Sequence, residues 1–340
     1  MPEFTIITPI YNGARFLPSA IRSVQAQTLA DWEWILVDDG STDGSLDLCR
    51  AAAGTDHRIK VLSHGRNRGP SVSRNLAIRE SRGDLIGFLD CDDLWSPEKL
   101  ELDRATFARH PRAALLYSRV LFWFESAPAP GGRAVPGNLG VPTDGILEPP
   151  SLLVHIIENL YDFACQFPAP SCLALRRSAL PQEEDLFDPP MHGFDDFVLL
   201  PKLLLRHPAV VCDDIRVFHR RHAASFSQQT DFESAFQRIV RWLESYTGAS
   251  ENANAVVEAL RRLMKRRRRE RMRQTIVAAG RQLLPFRLRD FLWRRLGEEW
   301  LSPGGIAPQP GSLMPWASQE LAREIGQPPT GGGVSYPPGK

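Results

Sequence analysis

Short apolar runs that alternate with stretches of helical periodicity constrain this chain more than any other feature. Residues 4–10, 34–37, 59–62 and 84–89 are β-favouring and bounded by Gly, Pro, Asn or Asp. Between the first two, Leu17, Ile21 and Val24 recur at spacings of four and three, which predicts an amphipathic helix over 14–27. Residues 45–53 and 71–79 read as two further helices, the second with Ser71 as its N-cap. Strands and helices in this alternation build a mostly parallel sheet covered by helices on both faces. The fold class is therefore α/β, and 43% hydrophobic residues supply material for a large core.

Sheets of this kind bind ligands beyond the carboxyl ends of their strands. Two acid-rich segments follow strands here: Asp38-Asp39 in "WILVDDGSTDGS", and Asp90, Asp92 and Asp93 in "FLDCDDLW". Both are expected on that rim. Carboxylates this close repel one another, and apolar neighbours make ionising them more costly. A hard divalent cation relieves the cost: Mg²⁺ or Mn²⁺ takes one or two protein carboxylates and fills its shell with phosphate oxygens and water. The competing reading of the triple acid is a solvated turn before a helix starting at Ser96-Pro97-Glu98. For Asp38-Asp39 it is a plain Asx turn with Gly40.

Downstream, 114–117 and 120–124 read as strands and 126–142 as a Pro/Gly-rich excursion. Residues 151–160 are predicted helical, 172–175 a strand and 194–206 a helix, with 210–212 and 217–219 closing the core. Beyond about residue 230 the pattern turns helical. From Ser302 on, Pro and Gly dominate, a composition that buries too little to stay ordered.

"TPIYNGARFLPSAIRSVQAQTL", "WILVDDGSTDGS", "NRGPSVSRNLAI" and "GDLIGFLDCDDLW" occur in that order. Taken together they resemble the family 2 glycosyltransferases, which have the GT-A fold, over roughly residues 4–225. The resemblance implies an inverting transfer of one sugar from a nucleotide-diphospho-sugar, with a UDP-sugar as first choice, to the hydroxyl of a glycan or lipid-linked acceptor. It implies a catalytic domain over 1–230, with the nucleotide half at about 1–110 and the acceptor half at about 111–230. A basic helical extension over 231–300 and a tail over 301–340 follow.

Carried over residue by residue, the resemblance places Thr8, Pro9 and Tyr11 at the base, with Tyr11 able to stack. Asp39 accepts a hydrogen bond from the base while Asp38 supports its turn. Arg68, Arg74 and Asn75 match the basic segment near the donor. Asp92 and Asp93 hold Mn²⁺ or Mg²⁺ against the diphosphate, and Asp90 supports the ribose side. The base that deprotonates the acceptor falls in the pair Asp195-Asp196, with Asp196 the choice; both also suit the positive end of a helix dipole. "EEDLFD" (183–188) matches the segment expected just before that base. "FHRRHAASFS" resembles a late motif in which Arg220, His222 and Ser227 reach the diphosphate. "QRIVRW" has one residue too many for the Gln-x-x-Arg-Trp of processive synthases, so single-sugar transfer is expected. A sugar nucleotidyltransferase lacks its Gly-rich phosphate loop here. A binding module without catalysis lacks a reason to keep both the acid cluster and the acidic pair.

Net charge is +1, yet nine basic residues lie between Arg261 and Arg273 against Glu270 alone, which leaves the rest of the chain at −7. The basic run reads as a solvated helix face, a nucleic-acid patch or a contact with anionic lipid. Aromatic residues that stack on bases are absent from it, so nucleic acid is not expected. Leu284, Leu288, Leu292 and Leu296 form an apolar stripe just beyond. Five cysteines without CxxC spacing fit a reducing compartment. The N-terminus reads as a first strand and no run reaches the roughly 18 to 20 apolar residues of a membrane span. The expected location is cytoplasmic, with peripheral contact at the cytoplasmic face of the membrane as the basic run's contribution.

Overall fold

The computed structural model describes residues 1–125, 134–160, 166–181, 185–188, 195–222, 232–247 and 252–283. Ten strands form one sheet: β1 (Phe4–Ile10), β2 (Trp32–Asp38), β3 (Ile59–Ser63), β4 (Leu85–Phe88), β5 (Leu94–Trp95), β6 (Leu115–Phe124), β7 (Ala134–Pro136), β8 (Ile146–Leu147), β9 (Leu173–Arg176) and β10 (Ala209–Arg221). The helices are α1 (Leu17–Gln25), α2 (Ser45–Thr55), α3 (Pro70–Glu80), α4 (Lys99–Arg109), α5 (Ser151–Glu158), α6 (Asp195–Leu204), α7 (Phe232–Thr247) and α8 (Ala253–Leu283).

The sheet runs β3-β2-β1-β4-β9-β6-β10-β5, with β7 on β6 and β8 on β10. β3, β2, β1 and β4 are parallel, and β6 is parallel to β10; β9 enters antiparallel between these two groups. β1 and β2 lie between helices and neighbouring strands, so nearly all their side chains are buried and the sequence reads as continuous apolar runs. Glu33 interrupts the apolar run of β2 before its terminal Asp38. Its carboxylate accepts from the Thr5 hydroxyl at 2.8 Å and from the Arg82 guanidinium at 2.7 and 2.9 Å, so the buried anion is paired.

The four N-terminal strands match their expected positions closely. α3, however, begins one residue earlier than expected: Gly69, at φ +91°, precedes it and Pro70 opens its first turn, leaving Ser71 inside the helix. Residues 114–124, expected as two strands, form the single β6. Ser118 and Arg119, which suggested a break, are paired within the strand: Ser118 with the Cys172 carbonyl at 3.3 Å, Arg119 with the Gly137 carbonyl at 2.6 Å and with Asp213. β10 likewise unites 210–212 with 217–219. Its register against β6 shifts around Ile215, so the polar interruption Asp213-Asp214 is a bulge rather than a turn.

β5 carries little sequence signal because it has only two residues. It pairs antiparallel with β10, Trp95 opposite Val217. The Trp95 indole is fully buried and donates to the Ser171 carbonyl at 2.9 Å. Position 87 must be glycine, since a Cβ there falls 2.9 Å from the Trp95 ring. α4 follows, as the Ser96-Pro97-Glu98 reading had it, and buries a salt-bridge chain. Lys99 meets Asp103 at 2.5 Å, and Asp103 meets Arg216 of β10 at 2.6 Å. Together these contacts fix the turn between β4 and β5 to the far side of the sheet.

α6 runs through Pro201, which lies inside the helix. α7 buries Ile239 and Leu243; α8 packs on α5 and α7 and buries Val256, Ala259, Leu260 and Leu263. The leucine stripe 284–296 and the 301–340 tail lie outside the described residues, as does Ser227. Among the described residues no helix is long and apolar enough to cross a membrane.

Candidate active site

β1 and β2 run parallel with Ile10 opposite Asp38, so the loops that follow them share one rim. Side chains stitch these loops together. Asn12, at φ +51°, accepts the Thr42 N–H at 2.8 Å, and its own N–H donates to the Ser41 hydroxyl at 3.0 Å. The Gly13 and Ala14 N–H groups donate to Ser45 and Asp43 at 2.9 Å each. Asp38 accepts from the Gly40 and Ser41 N–H groups and from the Ser63 hydroxyl, so it does support the turn. Gly40 sits at φ +78°, and a Cβ there meets the Arg66 backbone at 2.6 Å; only glycine fits.

Asp39 is 2% exposed. Its two oxygens accept the Arg68 and Gly69 N–H groups at 2.8 and 2.7 Å, tying the β2 loop to the start of α3. Burial pushes its carboxyl above the ordinary range, since desolvation outweighs those two hydrogen bonds. Thr8 faces inward. Fully buried, its hydroxyl accepts the Trp34 Nε1–H at 2.9 Å, so it braces the core beneath the rim instead of lining it. Pro9 is half-buried, the Arg68 side chain is exposed, and Tyr11 stands half-exposed at the strand end.

The acid turn after β4 divides its labour. Asp90 is held by Arg74 at 2.6 Å, and its N–H donates to the Ser171 hydroxyl at 3.1 Å. Asp92 meets the His222 Nε2 at 3.0 Å. Asp93 is 1% exposed and accepts three times: from the Ser171 hydroxyl at 2.6 Å, the Arg220 N–H at 3.0 Å and the His219 Nδ1 at 3.0 Å. The sequence pairs Asp92 with Asp93 at a metal. The structure separates them, because Asp93, buried with both oxygens engaged, holds the turn together. Asp90 and Asp92, 26% and 28% exposed, keep their second oxygens without a hydrogen bond among the described residues.

Arg220 is 3% exposed and built into the same scaffold. Its guanidinium donates to the Asp92 carbonyl at 2.9 Å and to Glu125 at 3.1 Å, and lies 4.2 Å from the Trp123 ring centroid. His222 packs on the Phe16 ring at 4.5 Å. His219 has its pKa raised above 6.5: burial works against the charged ring, but the charge and hydrogen bond of Asp93 outweigh it. Gly13 lies against Cys91, where a Cβ falls 2.7 Å from the sulfur, so the first loop rests directly on the acid turn. Burial and three neighbouring carboxylates hold that thiol far above its usual range.

The donor side also grips the segment leading to the second half. Asn75 makes a two-way clamp on Phe187, donating to its carbonyl at 2.8 Å and accepting its N–H at 3.0 Å. Arg74 sits 5.3 Å from the Phe187 ring, and Phe88 meets that ring edge-on at 5.4 Å. Arg79 pairs with the Asp185 carboxylate at 2.8 Å, while buried Lys202 donates to its carbonyl at 2.5 Å. Within 183–188, Asp185 is thus an anchor. Asp195 and Asp196 are the first two residues of α6, shortly after this clamped segment. Ser171, Glu125 and Lys202 escaped sequence reading. None stands out by type or spacing, and each gains its role only through a partner 78 to 95 positions away or, for Lys202, 17 away.

The residues fit a divalent cation of the kind that shares its shell with phosphate. Two carboxylates with spare oxygens stand on one turn, and among the described residues no three His, Cys, Asp or Glu side chains converge into a protein-only cage.

The profile described as "Glycosyl transferase family 2" matches residues 5–182. The teichuronic acid biosynthesis glycosyltransferase TuaG of Bacillus subtilis is 40% identical over 100 residues, 29% of this chain and 40% of TuaG. The β-1,3-glucosyltransferase WfgD of Escherichia coli, named for UDP-Glc and GlcNAc-diphosphoundecaprenol, is 38% identical over 98 residues, 29% of this chain and 38% of its own. The chain thus spans about two-fifths of the length of these curated relatives. S. aureus TarS 1–349 in complex with UDP-GlcNAc superposes with a TM-score of 0.61 at 20% identity, covering 77% of this chain and 71% of the other. The mannosyltransferase PcManGT of Pyrobaculum calidifontis, with GDP-Man and Mn²⁺, gives 0.57 at 15% identity over 95% and 85%. The fold is that of these GT-A glycosyltransferases.

Proposed function

The chain belongs to glycosyl transferase family 2, and on that premise we propose that it is an inverting glycosyltransferase, moving one sugar from a nucleotide-diphospho-sugar to an acceptor hydroxyl. The observation that carries the proposal is the acid turn, where Asp90 and Asp92 alone of three carboxylates keep an oxygen uncommitted beside the stitched loops of β1 and β2. In this reading residues 1–230 are the catalytic domain and 231–300 a basic helical extension.

Tyr11 stacks on the donor base, and Asp39 accepts from it with the lone pairs that Arg68 and Gly69 leave. Asp90, oriented by Arg74, takes the ribose side. Asp92 would hold Mn²⁺ or Mg²⁺ through the oxygen that His222 leaves. When bound, the cation supplies positive charge for the departing diphosphate. Asp93, Ser171 and Arg220 keep the turn rigid, so that its charges are aimed before the donor arrives. Asp196 accepts the acceptor hydroxyl's proton as that oxygen attacks the anomeric carbon from the face opposite the leaving group. A UDP-sugar is the donor favoured by the UDP-Glc and UDP-GlcNAc named for WfgD and TarS. The names of TuaG and WfgD favour a cell-surface polysaccharide or its lipid-linked precursor as acceptor.

Turnover of a panel of UDP-, GDP-, dTDP- and CDP-sugars, with Mn²⁺ and after chelation, tests the reading. One donor class is expected to turn over only with metal. Asp196→Asn is expected to lower kcat by about 10² or more while the donor KM stays within a factor of a few. Metal-independent turnover, or equal loss of donor binding in Asp196→Asn, contradicts it.

A further inference from the structure

The long basic helix α8 has two faces of opposite character. Val256, Ala259, Leu260 and Leu263 are buried against the rest of the protein, and α5 holds that face with charge as well. Arg262 pairs with Glu158 at 2.7 Å and with Glu258 at 2.9 Å, and Arg266 donates to the Glu158 carbonyl. The helix is therefore anchored by its own core and needs nothing from its outer side.

That outer side carries Arg261, Lys265, Arg268 and Arg269, all exposed and none in an ion pair among the described residues. Arg261, Lys265, Arg268 and Met272 follow one another at spacings of four, three and four, so they form a single stripe. Met264 and Met272, 40% and 55% exposed, are two of the five exposed large hydrophobics among the described residues. An ordinary solvated helix face mixes signs, because opposite charges at i,i+4 stabilise it and like charges destabilise it. Here Arg261 with Lys265, and Lys265 with Arg269, are like pairs at that spacing, and no acid occurs between 259 and 269. The self-repulsion is relieved by a surface that is itself anionic. Residues 248–283 contain no Phe, Tyr or Trp to stack on bases, which disfavours nucleic acid.

We propose that this face of α8 is a docking surface for an anionic lipid bilayer, its four cations against the headgroups and Met264 and Met272 entering the boundary with the acyl chains. Long cationic stems beside apolar side chains suit that boundary. The proposal stands apart from the transfer reaction and is tested without it.

Flotation of the full chain with vesicles of phosphatidylcholine, alone or with one-third phosphatidylglycerol, reads the proposal directly. Binding is expected only to the anionic vesicles, at low salt, with release as salt rises. Each cation contributes about five-fold in partitioning, so replacing Arg261, Lys265, Arg268 and Arg269 by Gln lowers it by about 10² to 10³. The variant's unfolding temperature is expected not to fall, since like-charge pairs are removed. Arg50→Gln with Arg109→Gln, exposed cations elsewhere on the domain, serves as the control and is expected to bind as wild type. Wild type that ignores anionic vesicles at low salt overturns the proposal. So does preference for a duplex oligonucleotide over the vesicles, a quadruple variant that still floats, or a control that loses binding equally.

Discussion

Replacing Asp92 and Asp93 separately by Asn separates two jobs that adjacent, identical side chains perform. Asp93 is 1% exposed and serves three donors: the Ser171 hydroxyl, the Arg220 N–H and the His219 ring. An amide there removes the charge that faces the His219 ring and turns two of its hydrogens toward groups that also donate. Leaving a buried donor without its acceptor costs about 1–3 kcal/mol, and two donors, the Ser171 hydroxyl and the Arg220 N–H, lose theirs. For a domain of this size that corresponds to a fall in Tm of about 10 °C, at about 2–4 °C per kcal/mol. Asp92 is 28% exposed with one side-chain partner, His222, so its loss costs at most about 1 kcal/mol, or about 3 °C. Thermal unfolding followed by circular dichroism without metal or nucleotide reads both. Asp93→Asn is expected to melt far below wild type and Asp92→Asn close to it. Equal Tm values, or a larger drop for Asp92→Asn, refute the assignment of Asp93 to the scaffold.

The pH dependence of stability should carry the signature of His219. Its folded pKa lies above the unfolded 6.5, so its contribution is complete below about 6.5 and is lost as pH rises through the raised value; urea midpoints should fall across that window in wild type and stay flatter in His219→Gln. Thr8→Val should cost about 1–2 kcal/mol by orphaning the Trp34 Nε1–H while leaving donor affinity unchanged, checked by urea unfolding beside donor titration. Asn75→Ala should release Phe187 and lower kcat more than donor affinity, because the clamp joins the donor side to the segment preceding α6; equal effects on both would contradict that coupling.

Local pattern made the nucleotide half legible. β1, β2 and β4 are buried on both faces, so their residues form nearly continuous apolar runs, and the turns between the strands require Asn12, Gly13 and Gly40 by conformation or close approach. Polar residues inside strands misled the reading further on. Ser118-Arg119 and Asp213-Asp214 look like interruptions until their partners on neighbouring strands are known. The acid cluster was recognisable as a strand-end turn on the rim, but the partners of its three carboxylates were not. Which of Asp90, Asp92 and Asp93 turns inward depends on Ser171, His219 and Arg220, all distant in sequence. Thr8 shows the same limit: its position in the motif is clear, but only β2 reveals that Trp34 claims its hydroxyl.

Calorimetric titration of nucleotide-diphospho-sugars into the full chain, with Mn²⁺ and after chelation, tests the central claim most directly. The account predicts one saturable site for one nucleotide class with metal present, weakened at least about tenfold, 1.4 kcal/mol, by chelation and to a similar degree by Asp92→Asn with metal present. Binding that is equally tight without metal and in Asp92→Asn, or no binding of any nucleotide sugar, contradicts it.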